Sequence, residues 1–128
     1  MTATAESIEL ARAAASAASD KMAEDILAFD VSDQLSIADI FLLCSAPNEP
    51  QVDAIVDAIE ERLRKAGAKP VHREGERARR WVLLDYIDLV VHVQHSEERA
   101  YYALERLWRD CPIVELDDHA SAAAEVGS

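Results

Sequence analysis

The sequence predicts an α+β fold: a mixed β-sheet flanked by helices, in the order α-β-β-α-β-β-β-α. Three observations carry that prediction. Residues 51–63 and 96–108 repeat apolar side chains at helical spacing. Residues 40–46, IFLLCSA, form the continuous apolar run expected of a central strand buried on both faces. Two further apolar runs, WVLL and LVVHV, flank a short link within residues 79–95, as in a β-hairpin. Strands interspersed with helices imply helices packed against a sheet. At 128 residues the chain fits one domain with its own core.

The elements follow in order. Residues 4–22 are alanine-rich and read as a helix capped by Thr4 or Ser7, with Ile8, Ala11, Ala15, Ala18 and Met22 as its apolar stripe. Residues 26–32, ILAFDVS, alternate roughly and read as a strand, and a polar link leads to the strand at 40–46. The next helix is the clearest. Asn48 and Gln51 have capping spacing, Pro50 suits a first turn, Val52, Ile55, Val56, Ile59 and Leu63 share a face, and Gly67 closes the end. KPVHREGE reads as a short strand before the hairpin. SEERAYYALERLWRD reads as a last helix, capped by Ser96, with Ala100, Leu104, Leu107 and Trp108 facing inward. One domain spans residues 1–114, and the acidic, small-residue-rich residues 115–128 are expected to be a disordered tail.

Charge narrows the partners. The net charge is −12, with 25 acidic against 13 basic residues. A field of that sign repels phosphate backbones, so binding to naked nucleic acid is disfavoured and a basic protein surface is favoured. Cys44 and Cys111 have no spacing that suggests zinc, and reduced thiols in a cytoplasm are expected. Cys44, in an apolar strand, reads as a small core residue. The N-terminal segment lacks the basic start and apolar run of a signal peptide, and no apolar run reaches membrane-spanning length. Neither a cofactor nor a metal site is expected.

The hairpin carries the candidate site. With Tyr86 and Ile87 as a two-residue turn, Asp85 and Asp88 sit opposite each other. Alternation then puts Val82, Leu84, Leu89, Val91 and Val93 on a core face. The other face carries Trp81, Leu83, Asp85, Asp88, Val90, His92 and Gln94. It is too apolar for idle solvent contact and too charged for a core, a mixture that suits a protein interface. Isoleucine is a poor residue for such a turn, and a register slip of one residue would exchange the faces. The bland alternative is that a helix covers Trp81 and the aspartates merely flank a turn. His92 and His95 fall on opposite faces, which argues against a shared metal, and each reads as a surface or interface histidine. One of Tyr101 and Tyr102 is expected to pack inward and the other to be free for contact.

LSIADIFLLCSAP, then QVDAIVDAIEERL, then EGERARRWVLLDYIDLVVHVQHSEERAYYALERLW resemble the ribosomal silencing factor family, also called the Iojap (RsfS) family. The resemblance runs from about residue 8 to residue 114, and WVLLDYIDLVVHV and YYALERLW are its most specific pieces. It implies an α+β, nucleotidyltransferase-like fold without established enzymatic activity. It implies a translational repressor that binds ribosomal protein uL14 (L14) on the 50S subunit. There it would block the small subunit and lower translation when nutrients are short. The family pattern reads D-Y-G-D where this chain has Asp85-Tyr86-Ile87-Asp88, and it places a glycine near Cys44-Ser45-Ala46. The partner face would comprise Trp81, Leu83, Asp85, Tyr86, Asp88, Val90, His92 and Asp39, with the aspartates pairing with basic groups on uL14.

Two other readings compete. A divalent-metal nucleotidyltransferase needs convergent carboxylates, and Asp85 and Asp88 are its candidates, but their spacing is three and the Gly-Ser helix entry is absent. Self-association through the same face or an edge strand would give a homodimer off the ribosome. Arg77, Arg79 and Arg80, in HREGERARR, form the basic cluster that could touch rRNA beside the protein contact, against the plainer reading of a solvated loop.

Overall fold

The computed structural model describes residues 3–75 and 77–116. Five strands form one mixed sheet: β1 (Glu24–Asp30), β2 (Ile40–Ala46), β3 (His72–Glu74), β4 (Trp81–Asp85) and β5 (Leu89–His95), in spatial order β1-β2-β5-β4-β3. β2 and β5 are parallel, and every other neighbouring pair is antiparallel. A parallel pair needs a long crossover, here α2 (Glu49–Lys65) with β3 and β4. β2 and β5 are the central strands, which is why IFLLCSA has no polar face.

Two layers of helix cover the sheet. α1 (Ala5–Asp20) and α2 lie on one face, over a core of Ile40, Leu42, Leu84, Leu89, Val91 and Val93. Ala11, Ala14, Ala15, Ala17 and Ala18 are all buried, so small side chains let α1 approach α2 closely. Thr4 Oγ1 accepts the Ser7 N–H, and Asn48 Oδ1 accepts the Gln51 N–H, so both helices start where capping chemistry places them. Gln51 turns its amide to the Lys21 and Met22 carbonyls, which ties α2 to the end of α1. Met22 lies beyond α1 at a φ of +62° and is exposed, so it leaves the expected stripe.

The opposite face is covered by α3 (Ser96–Tyr102) and α4 (Leu104–Leu107). The single helix expected over 96–110 is broken at Ala103, which sits at a φ of +46°. The break turns Leu104 and Trp108 onto a second core of Phe29, Val31, Leu43 and Cys111, and leaves Leu107 exposed. The cap of α3 is His95, whose Nδ1 accepts the Glu97 N–H, and not Ser96, whose hydroxyl donates to Glu24. Residues 112–114 run along the outer edge of β1, through Asp30 N–H to Pro112 O and Val114 N–H to Ala28 O. Glu115 and Leu116 remain docked: Arg12 donates to the Glu115 carbonyl and Leu116 packs on the core. The rest of the expected tail lies outside the described residues.

Candidate functional site

β4 and β5 pair as Val82 with Val93, Leu84 with Val91 and Asp85 with Val90. Tyr86 donates its N–H to the Leu89 carbonyl, and the turn residues are Ile87 and Asp88. The loop thus lies one residue later than expected. Moving a two-residue loop by one place changes the pairing by two, and because the side-chain period is also two, the faces are retained. Val82, Leu84, Leu89, Val91 and Val93 are buried on the α1–α2 side, as read from the sequence.

The new turn redistributes the site residues. Asp85 and Asp88 are not cross-strand partners. Asp85 Oδ1 accepts the Ile87 N–H at 2.8 Å, and Asp88 donates its N–H to the Tyr86 carbonyl at 3.0 Å, a γ-turn centred on Ile87 at a φ of +74°. Ile87 is 58% exposed at the tip beside exposed Asp88. Tyr86 is corrected to the core side: it is buried, and that burial pushes its phenol up to about 12. Asp39 is also corrected. Its Oδ2 accepts the Thr4 N–H and the Ser7 hydroxyl, so it anchors the start of α1 and is not a free carboxylate for a partner.

Trp81, Leu83 and Val90 are half-buried on the mixed face. His92 is 6% exposed and Gln94 is fully buried, so the expected half-wet face is dry at the α3 end. Trp81 Nε1 donates to His92 Nδ1 at 3.1 Å, while the Tyr102 ring packs against the indole at a tilt of 49°, with ring centres 4.8 Å apart. Burial lowers the His92 pKa to about 4, so the imidazole is neutral and its Nδ1 stays available as acceptor. His92 hydrogen-bonds Trp81 and, being buried, offers almost no surface of its own. His95 is likewise buried, as the α3 cap, so neither histidine is the surface residue expected.

Tyr101 and Tyr102 are both exposed, Tyr101 to 81%, and they pack edge to face at 4.9 Å. Neither enters the core, contrary to expectation, because the Ala103 break ends α3 before a further turn can roll it inward. Trp81, Tyr102 and Tyr101 thus form a continuous aromatic strip. Next to Trp81 lies a depression of about 260 Å³ lined by Glu74, Gly75, Trp81 and Leu83. Trp81 and the tyrosine pair were each visible in the sequence, but their contact was not. That contact, across some twenty positions, depends on the sheet register.

The basic cluster is largely neutralised. Arg79 pairs with Asp53 at 3.0 Å. Arg80 reaches Glu49, Glu97 and Glu98 at 2.7–2.9 Å, and these carboxylates hold its guanidinium above its usual range. Arg77 alone of the three has no carboxylate partner among the described residues, so the cluster offers rRNA far less positive charge than its sequence suggests. Cys44 is buried, and burial pushes its thiol up to about 12, which removes it as a nucleophile. Among the described residues no three His, Cys, Asp or Glu side chains gather where a metal could be held, and no helix is long and apolar enough to cross a membrane.

The family model for the ribosomal silencing factor during starvation (RsfS) matches residues 4–127. The chain belongs to the ribosomal silencing factor family. It is 46% identical over 104 residues to the ribosomal silencing factor RsfS of Bacillus subtilis, covering 81% of this chain and 88% of that protein. It is 44% identical over 109 residues to the RsfS of Halalkalibacterium halodurans, covering 85% and 93%. The crystal structure of a Chromobacterium violaceum protein superposes with a TM-score of 0.76 at 33% identity, over 78% of this chain and 83% of that one. The family match extends past Leu116 into the acidic terminal residues.

Proposed function

We propose that this protein is a translational repressor that binds ribosomal protein uL14 on the large subunit and blocks association with the small subunit by occupying its space. The carrying observation is the aromatic strip: Trp81 held between His92 and Tyr102, with Leu83 beside it on the same strand face and half-buried Val90 and exposed Asp88 towards the turn. A rigid aromatic anchor within a polar surround is how interfaces concentrate affinity. The net charge of −12 suits a basic ribosomal protein and repels the rRNA around it, which disfavours wrong docking. Asp88 is the free carboxylate for a partner lysine or arginine, while Asp85 shapes the turn behind it. Silencing of this kind needs no chemistry, and the name "during starvation" supports a role when nutrients run short. Self-association through the same strip would compete with the ribosome. The metal-enzyme alternative loses its geometric basis, because Asp85 is spent on the Ile87 N–H and does not converge with Asp88.

Co-sedimentation with purified 50S subunits, 30S subunits and 70S ribosomes tests the proposal. The protein should travel with 50S alone. Trp81→Ala should weaken that binding by more than about 1 kcal/mol at temperatures where circular dichroism shows the variant still folded. Asp88→Lys should weaken it too. Equal binding to all three particles, or undiminished binding by both variants, overturns the reading.

A further inference from the structure

The sheet changes helix direction between its two parallel strands. β2 leads into α2 on one face, whereas β5 leads into α3 on the other. In open sheets the crevice beyond the carboxyl ends of strands, at such a switch, is where small ligands bind. A depression of about 460 Å³ lies at this end of the molecule, between the start of β1, the end of β2 and α3–α4. Ser45, Arg99 and Glu105 line it, with Leu27 and Ala100 as an apolar wall and Asp25 at the mouth.

Its polar groups are incompletely used. Arg99 is only 5% exposed. Its Nε donates to Glu105 at 3.0 Å, yet its Nη1 is buried with no hydrogen-bond partner. Behind the lining, Gln94 is the parallel-ladder partner of Ser45 and shares its face, and both its amide atoms are buried without partners. A buried guanidinium N–H left unmet costs more than an ordinary hydrogen bond returns, so it marks a place for an acceptor. The mouth has the opposite character. Glu24 and Asp25 are exposed there, and Asp25 stands at a φ of +51° where the β1 register shifts.

We infer that this depression binds a small zwitterion, a free amino acid with an apolar side chain, its carboxylate on Arg99 and its ammonium towards Asp25. A lone anion such as phosphate meets Glu24, Asp25 and Glu105 against a single arginine. A lone cation leaves Arg99 Nη1 unmet. A molecule with both charges a few ångströms apart satisfies both ends, and Leu27 and Ala100 suit an aliphatic group. Such a site would let the chain read amino-acid supply directly. That meaning rests on the proposed silencing role, but the binding itself does not.

The test uses the free protein. Amide resonances are followed by NMR on adding L-leucine, leucinamide, 4-methylvalerate or inorganic phosphate. Leucine should shift Ser45, Gln94 and Arg99 with a millimolar Kd, and each half-analogue should bind at least about tenfold more weakly, the loss of one charge contact. Asp25→Asn, an exposed change that tolerates the positive φ, should weaken leucine several-fold without lowering the melting temperature. Arg99→Met should abolish binding, and Asp25→Asn remains decisive if that variant fails to fold. No shift up to roughly 10 mM leucine, or phosphate and 4-methylvalerate binding as well as leucine, overturns the inference. So does a crystal grown in leucine that shows only water on Arg99. If leucine binds but 50S co-sedimentation fails, the site stands and the silencing role falls.

Discussion

Ile87 is a β-branched residue at a φ of +74°, with its side chain largely in solvent. Left-handed backbone costs an ordinary residue roughly 1–2 kcal/mol, and glycine would escape that at an entropic cost of about 0.5–1 kcal/mol. Ile87→Gly should therefore stabilise the domain by about 1 kcal/mol or less, read from urea unfolding. An unchanged or lower midpoint would mean that the turn relaxes around isoleucine. With 58% of its surface exposed, the isoleucine returns little burial against that strain, which suits a side chain at the edge of a docking face. His92 gives a pH dependence. Its folded pKa of about 4 lies below the unfolded 6.5, so as pH falls the unfolded chain takes up the proton first. Its contribution is complete above pH 6.5 and is lost down to pH 4, by about 3 kcal/mol. Unfolding free energies across that window should fall more steeply in the wild type than in His92→Gln. Parallel curves would show that His92 is not the group responsible.

At the scale of elements, the turn between β3 and β4 sets where Trp81 stands. Gly75 has a φ of +83°, and a Cβ there would collide with the Trp81 carbonyl oxygen, which is backbone and cannot step aside. Gly75→Ala should cost more than about 1 kcal/mol, through the forbidden φ and the displaced strand, and should weaken 50S binding beyond the loss of stability. Thermal melts with co-sedimentation well below the melting point separate the two effects. Helix starts and central strands were legible in advance. Thr4, Asn48 and the IFLLCSA run act locally, and their chemistry needs no distant partner. The final helix was not. Ala103 is an ordinary helix former, and its left-handed φ arises where Leu104 and Trp108 seat on Phe41 and Leu43, a packing demand absent from the helix itself.

Across the whole molecule, Arg80 joins parts that are distant in sequence. It ties the start of β4 to Glu49 at the beginning of α2 and to Glu97 and Glu98 on α3, thus to helices on both faces. Arg64, by contrast, pairs with Glu61 inside one helix. Arg80→Ala should lower the melting temperature more than Arg64→Ala, and the gap should narrow in high salt as screening weakens the network. Equal losses would reduce Arg80 to a surface charge.

The sequence by itself determined the α+β class, which hairpin residues face the α1–α2 core and the strongly acidic charge. Those rest on period-two alternation, helical spacing and residue counts, all of which survive a one-place error in the turn. Only the tertiary structure decided which polar groups are free. Asp39, His92, Arg79 and Arg80 look alike in the sequence as available side chains, yet each is engaged by a group elsewhere in the chain, whereas Asp88 stays exposed at the tip and Arg99 keeps a buried N–H unmet. Local pattern fixes where a side chain points. Which donor or carboxylate meets it is fixed by how the helices and strands pack, and that is written in long-range contacts.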